Sequence, residues 1–437
     1  MTTALSVIRD KISETTGDYW HSTVTTALAA STALVDTTLN KIFTRDNECK
    51  NWFVLITSEN NDGEVRKVST YTASTTAIAV MGGNFTSDSA AKATYELHKF
   101  DPDDKKRAIN YAAEDIYPIL HRVVRDRTLV TGNALPNAHF EDWAVTTYPD
   151  KHRVTNATAA ETATAGLTRG GGSSALITTS AANGYMSITS NDYPRLLDLM
   201  GQTINFRCWA YPSTASDAFL TIYTIQADGT EQTLNSTSSC PASKYSLLEL
   251  ESQAINDNIT EIQFRFRVHT DKETCYFDNA RVTGVSLQEY LLPADFRDGH
   301  LSKVYVQSSG LADQSSDDLH LTTGWTPLFG WNVRTDNGDK FLQTPYGVAE
   351  ERNIQLEGFT KFETLSLDTD TISLDGEKLN LLISQAIVRM YEMRRGLVAS
   401  DSVNRYDDEI GYWRYKVEEL KGRHRMNRPA SQIRWTS

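Results

Sequence analysis

The chain has 437 residues and a formal net charge of −13, with 23% charged and 40% hydrophobic residues. That is a globular composition rather than a disordered one, and the length exceeds one ordinary core, so two or three domains are expected. No apolar run approaches the ~20 residues of a membrane span, and the opening MTTALSVIRDKISETTG has no apolar signal core, so neither a transmembrane anchor nor a secretory signal is expected.

Charge is unevenly spread. Residues 377–437 carry twelve Lys and Arg against eight Asp and Glu, a net +4, which leaves −17 on the rest of the chain. An acidic body repels phosphates and argues against non-specific DNA binding, whereas a basic tail can dock on an acidic partner or touch DNA locally. Threonine occurs 51 times. It is β-branched and suits sheet faces, so a large β content is expected. Cys49, Cys208, Cys240 and Cys275 form no CxxC pair, which argues against a zinc or dithiol site. Four reduced thiols are expected, with a Cys208–Cys275 bridge between neighbouring strands as the alternative.

Residues 1–20 fit a short amphipathic helix, with Leu5, Ile8, Ile12 and Tyr19 near helical spacing. From 21 to 100 the texture is β. NWFVLIT is an apolar run, NNDG (60–63) is a hairpin turn signal, EVRKVSTY alternates, TAIAVMGGNF ends in a glycine turn, and ATYELHKF closes the set. A small barrel or sheet of four to six strands follows. The spacing predicts a helix over 101–127. Asp101 can cap it, Pro102 opens it, Asp103 and Asp104 favour its positive end, and Ile109, Ala112, Ala113, Ile116, Leu120, Val123 and Val124 share one face. Pro118 inside it predicts a kink or a break.

Composition changes at Thr131. Strands are expected at 174–179, 184–189, 202–211, 217–226, 246–252, 259–269 and 274–284, and their short, even spacing argues a β-sandwich over 131–285. Residues 286–366 suggest a second small sheet. Two helices follow, at 377–397 and 402–421. In the second, Val403, Tyr406, Ile410, Trp413, Val417 and Leu420 form a coiled-coil-like seam, which serves either intramolecular packing or neighbouring subunits. Pro429 then stops the helix in a basic tail, 422–437. The expected class is α+β and multidomain. N-terminal (1–130) and C-terminal (286–437) parts supply a helical bundle, with a small β-barrel or sheet at 21–100 and an inserted β-sandwich at 131–285.

Nothing points to catalysis, and an enzyme is not expected. The nine histidines show no HExxH, and GxSxG is absent. TRGGGSSA (168–175) lacks the GK[ST] of a phosphate loop and reads as a flexible turn. Asp368-Thr-Asp370 begins like a calcium loop but lacks its glycine and glutamate. Asp317-Asp318 and Asp407-Asp408-Glu409 read as solvated acidic faces.

The stretch from Asn137 through Phe140, Glu141 and Trp143, together with FRCWAYP (206–212) and CYFDNARVTG (275–284), resembles the opening, centre and close of a carbohydrate-binding-module jelly roll of the family 4/9 type. The resemblance implies a structural calcium bridging the opening and closing strands, which would fall on Glu141 and Asp278. It also implies an aromatic glycan platform, for which Trp143, Trp209, Tyr211 and Tyr223 are the candidates, core packing being the alternative for each.

The flanks, NDGEVRKVSTYTASTTAIAV with YELHKFDPDDKKRAINYAAEDIYPIL and YLLPADF with DTDTISLDGEKLNLLISQAIVRMYEM, are similar to neck proteins of the tailed-bacteriophage head–tail connector, or adaptor, class. That resemblance implies a virion structural protein, assembled in the host cytoplasm as a homo-oligomeric, dodecameric ring. The ring would sit below the portal, meet a tail or stopper protein, and pass DNA without reading its sequence. The jelly roll would face outward, toward surface glycans. Lys421, Arg423, Arg425, Arg428, Ile433, Arg434 and Trp435 would form a portal-docking arm. No cofactor beyond the calcium and no membrane contact are implied. The alternatives are a glycan-binding tail-fibre or adhesion protein, or the non-catalytic binding module of a glycoside hydrolase. A trimeric coiled coil or repeats would mark the first and are absent. An uninterrupted ~250-residue barrel would accompany the second and has no room here.

Overall fold

The computed structural model describes residues 2–18, 20–88, 92–308, 324–395 and 403–425. It divides into two compact units, Met1–Arg122 with Lys361–Ser437, and Val123–Thr360.

In the first unit β1 (Thr3–Ala4) pairs with β25 (Thr371–Ile372). Helix α1 (Leu5–Thr16) buries Leu5, Ile8 and Ile12, and it ends where Gly17 turns left-handed at φ 65°. Strands β2 (Trp20–Thr23), β3 (Ala33–Val35), β4 (Phe53–Ile56), β5 (Val65–Thr72), β6 (Ala77–Val80) and β7 (Thr94–His98) form one antiparallel sheet in the order β2-β7-β4-β5-β6-β3. Asp62-Gly63 turns the chain from β4 into β5, with Gly63 at φ 80°. Helix α2 (Pro102–Asp115) is capped by the Asp101 carboxylate, which accepts the Asp103 amide at 3.0 Å, and starts on Pro102.

The helix expected over 101–127 stops at Asp115, and Arg122–Val130 is a strand, β8. Pro118 supplies no amide to continue the helical ladder, and RVVRDRTLV is a run that prefers extended backbone. Val123, assigned from spacing to an apolar helix face, is 75% exposed.

Two further helices, α4 (Gly376–Arg395) and α5 (Val403–Arg425), close the first unit; α5 runs four residues beyond its expected end at 421. Helix α4 lies against both α2 and α5. Their shared core joins Ile109 and Ala112 of α2, Leu382, Ala386 and Met390 of α4, and Ile410 and Val417 of α5. No described helix is long and apolar enough to cross a membrane.

A buried ionic network ties α1, α2 and β7 together. Lys105 Nζ lies 2.8 Å from Asp18 Oδ2, 2.7 Å from Ser13 Oγ and 3.0 Å from His98 Nδ1. His98 Nε2 meets Glu96 at 2.8 Å, and Arg9 bridges Glu96 (3.1 Å) to Asp368 (2.7 Å). Burial, opposed by Glu96, holds the His98 imidazole below its ordinary pKa. The neutral ring can then accept from Lys105 and donate to Glu96.

The second unit contains β8, then ten sandwich strands: β9 (His152–Thr155), β10 (Ala157–Thr162), β11 (Ser174–Thr179), β12 (Gly184–Thr189), β13 (Thr203–Pro212), β14 (Ala218–Gln226), β15 (Glu231–Asn235), β16 (Ser246–Ala254), β17 (Ile259–Val268) and β18 (Thr274–Thr283). One sheet runs β10-β11-β18-β13-β16 and the other β15-β14-β17-β12-β9, all antiparallel. Alternation explains the layering. In β13, Ile204, Phe206, Cys208 and Ala210 point inward, and Asn205, Arg207, Trp209 and Tyr211 outward. Edge-to-face contacts of Phe206 with Phe264 (5.1 Å) and Phe266 (5.6 Å) join the two sheets at the core. All four cysteines are free and buried, so the Cys208–Cys275 bridge does not form.

After the sandwich come β19 (Glu289–Leu291), the one-turn helix α3 (Ala294–Arg297), β20 (His300–Gln307), β21 (Trp325–Pro327), β22 (Asn332–Asp336), β23 (Asp339–Gln343) and β24 (Asn353–Thr360). They form a three-stranded sheet, β19-β23-β22, and a four-stranded one, β21-β20-β24-β8.

The expected α+β class organised on a helical bundle is therefore corrected. The described residues form six sheets, the β-sandwich is the largest core, and helices are a minority. Helical periodicity alone overcounted the bundle, because the stretch after Pro118 satisfies its backbone in a sheet instead.

Candidate functional site

The two acids singled out for a metal share one loop. Asp278, on β18, is fully buried. Its Oδ2 accepts the amides of Arg169 and Gly170, the latter at 2.9 Å, and its Oδ1 accepts the Asn279 amide at 2.6 Å. Glu141, in the loop that opens the sandwich, accepts the amides of Gly172 at 2.7 Å and Ser173 at 3.1 Å through Oε1. The glycine stretch read as a flexible turn is thus a cradle of N–H donors spanning both carboxylates. Burial pushes the Glu141 carboxyl up to about 8 and Asp278 to about 7, against the lowering effect of those amides. His139 lies under the same loop, buried against Gly170, and burial brings its pKa down to about 3.

A hard cation needs several converging oxygens. Here N–H groups converge on the acids, and no group of three or more His, Cys, Asp or Glu suited to a metal occurs among the described residues. The donor set does not fit calcium.

The four aromatic candidates lie in three different places. Trp209 and Tyr211 are on the outer face of the first sheet. Arg169 covers the Trp209 ring at 4.2 Å, and Tyr211 packs edge-on against Tyr245 (5.3 Å) and Tyr276 (5.8 Å). Trp143 packs against the core from the opening loop and donates its indole N–H to the Phe140 carbonyl at 2.6 Å. It also lines an open cleft of about 690 Å³, with Arg125, Asp126, Glu141, Asp142 and Asp295. Tyr223 alone is on the outer face of the second sheet.

That second face holds residues which the sequence reading passed over. Cross-strand register places Tyr185 opposite Arg267, Ser187 opposite Arg265, and Tyr223 opposite Gln263. The Arg265 guanidinium lies over the rings of both Tyr223 (4.0 Å) and Tyr185 (4.7 Å), and its Nε donates to Gln263 Oε1 at 2.8 Å. Arg267 donates to Thr221 Oγ1 (3.2 Å), Asn235 Oδ1 (3.1 Å) and Asn183 Oδ1 (2.8 Å). Tyr185, Tyr223, Gln263, Arg265 and Arg267 are all half-buried. The strict alternation of QFRFRV (263–268) carried the signal, since it places Gln263, Arg265 and Arg267 together on the face opposite the phenylalanines.

Of the basic arm, Lys421 pairs with Glu418 (2.9 Å) and Arg423 with Glu419 (2.5 Å) along α5. Arg425 ends that helix, and Arg428, Ile433, Arg434 and Trp435 lie outside the described residues.

No protein-family model matches the sequence, and no curated protein matches it. Among solved structures, the chain is similar over 36% of its length to the C-terminal family 22 carbohydrate-binding module of Clostridium thermocellum Xyn10B, at 16% identity and TM-score 0.30, covering 96% of that module. It is similar over 37% to the CBM22-1 xylan-binding domain of Paenibacillus barcinonensis Xyn10C, at 15% identity and TM-score 0.28, covering 96% of that domain. A third, TmCBM61 solved with β-1,4-galactotriose, has 10% identity and TM-score 0.26, with 35% of this chain and 99% of that one covered. What those modules bind does not transfer at such identity.

Proposed function

We propose that the sandwich of the second unit is a non-catalytic glycan-binding module and that the outer face of its second sheet is the binding surface. The observation that carries this is the row Tyr185, Arg265, Tyr223, flanked by Gln263 and Arg267. It sets half-exposed aromatic edges beside planar donors on a rigid sheet. Sugars present apolar C–H faces and in-plane hydroxyls, and this mixture answers both. The face also differs from an ordinary solvated one. Arg265 and Arg267 pair with no carboxylate among the described residues, whereas Arg153 on the edge strand β9 of the same sheet is neutralised by Asp192. No observation among the described residues favours the ring subunit with a portal-docking arm, most of which lies outside them.

The test is electrophoresis of the whole protein through native gels containing neutral or acidic polysaccharides. The expected outcome is retardation by at least one of them, lost in the Tyr185→Ala/Tyr223→Ala variant whose circular dichroism is unchanged. Normal mobility of the parent protein in every gel overturns the reading.

A further inference from the structure

Resting on that reading, we propose that the face selects acidic glycans, chains bearing sugar carboxylates, and that Arg265 and Arg267 read the charge. Alternate residues of one strand share a face about 7 Å apart, so β17 presents two guanidinium groups side by side. Neither has an acidic partner among the described residues of a chain whose net charge is −13. The rings of Tyr185 and Tyr223 hold the Arg265 plane, and Gln263 takes its Nε, which leaves the two terminal nitrogens without a protein acceptor among the described residues. Arg267 is steadied by three neutral oxygens, from Thr221, Asn235 and Asn183. Burial and the neighbouring Arg265 both disfavour the charge of Arg267.

Two adjacent uncompensated cations repel each other, and a ligand carboxylate relieves that repulsion. The planar guanidinium fork matches a planar carboxylate through two parallel hydrogen bonds, a geometry that a neutral hydroxyl cannot reproduce. The acids of this face lie beyond Gln263. Glu261 accepts from Gln263 Nε2 at 2.5 Å, and Glu231 lies on β15 beside Tyr223, so the end occupied by the arginines stays positive. Arg153, on the outer strand β9, is neutralised by Asp192 at 2.5 Å. His269 is held by Asn183 at 2.8 Å.

The experiment compares four soluble polymers against the full chain: polygalacturonate, its methyl-esterified form, a neutral β-glucan and dextran sulfate. Polygalacturonate is expected to bind best. Esterification, Arg265→Gln and Arg267→Gln are each expected to weaken binding roughly tenfold or more, and Arg265→Lys is expected to fail to restore it. Melting temperatures of the variants, unchanged from the parent, exclude unfolding as the cause. Equal binding of the esterified or neutral polymer, indifferent to both arginines, overturns the charge selection and leaves glycan binding standing. Dextran sulfate binding as well as polygalacturonate and surviving Arg265→Gln marks a non-specific polyanion surface, which also overturns it. Binding to none of the four overturns this inference together with the reading beneath it.

Discussion

Gly171 adopts φ +73°, and a β-carbon there would fall 1.9 Å from Glu141 Oε1. Only glycine reconciles that backbone with a carboxylate so close, which is why a glycine run sits above the buried acids. The acids themselves set a pH response. In the fold, burial holds Glu141 at about 8 and Asp278 at about 7, above their ordinary 4.5 and 3.8. A carboxyl raised in the fold keeps its proton there while the unfolded chain loses it. The associated stability is therefore fully present below about pH 4 and is lost as pH rises through 7 to 8. The melting temperature of the second unit is expected to fall between pH 5 and pH 8.5, and Glu141→Gln with Asp278→Asn to flatten the decline. An equally steep decline in the double variant would assign it to other groups.

At the scale of elements, the network of Arg9, Asp18, Glu96, His98 and Lys105 shows how α1, β7 and α2 are held in register inside the first unit. Removing one partner from a buried pair strands the other charge, which costs roughly 3–5 kcal/mol. Lys105→Met is expected to destabilise by that order, read from the midpoint of urea unfolding. Adding Asp18→Asn should recover part of the loss, since it removes the stranded charge but keeps only one of the two oxygens that accept the Lys99 and Phe100 amides. A midpoint for the single variant within experimental error of the parent would sink the assignment. These elements were legible in the sequence to different degrees. Seven sandwich strands were found from alternation and turn residues. β9, β10 and β15 were not, because stretches such as EQTLN and ATAAET carry little apolar contrast at an edge. The failed helix over 116–127 has the opposite cause: its valines fit a helical face by spacing, but Pro118 and the pairing of β8 beside β24 decided otherwise.

At the scale of the whole molecule, the second unit begins and ends on neighbouring strands of one sheet, β8 and β24. A unit whose ends are adjacent and whose cores are its own can fold alone. Residues 123–360 expressed as a fragment are expected to unfold in a single cooperative transition and to keep the polysaccharide retardation of the full chain. A fragment that is soluble but binds nothing, beside a full chain that binds, would place the surface elsewhere.

The sequence by itself determined the large β content, seven of the ten sandwich strands, and the cap and start of α2. Each of these depends on local backbone preference and on a two-residue or 3.6-residue period. Tertiary structure alone decided the rest. It set the glycine loop over Glu141 and Asp278, residues 137 apart in the chain, and filled their neighbourhood with N–H groups rather than cation-binding oxygens. It scattered Trp143, Trp209, Tyr211 and Tyr223 over three places. It also assembled Tyr185, Tyr223 and Arg265 from three strands into one row. Which side chains meet across strands is set by register, and register is fixed by burial of the opposite face throughout the sheet, a property that no local stretch of residues contains.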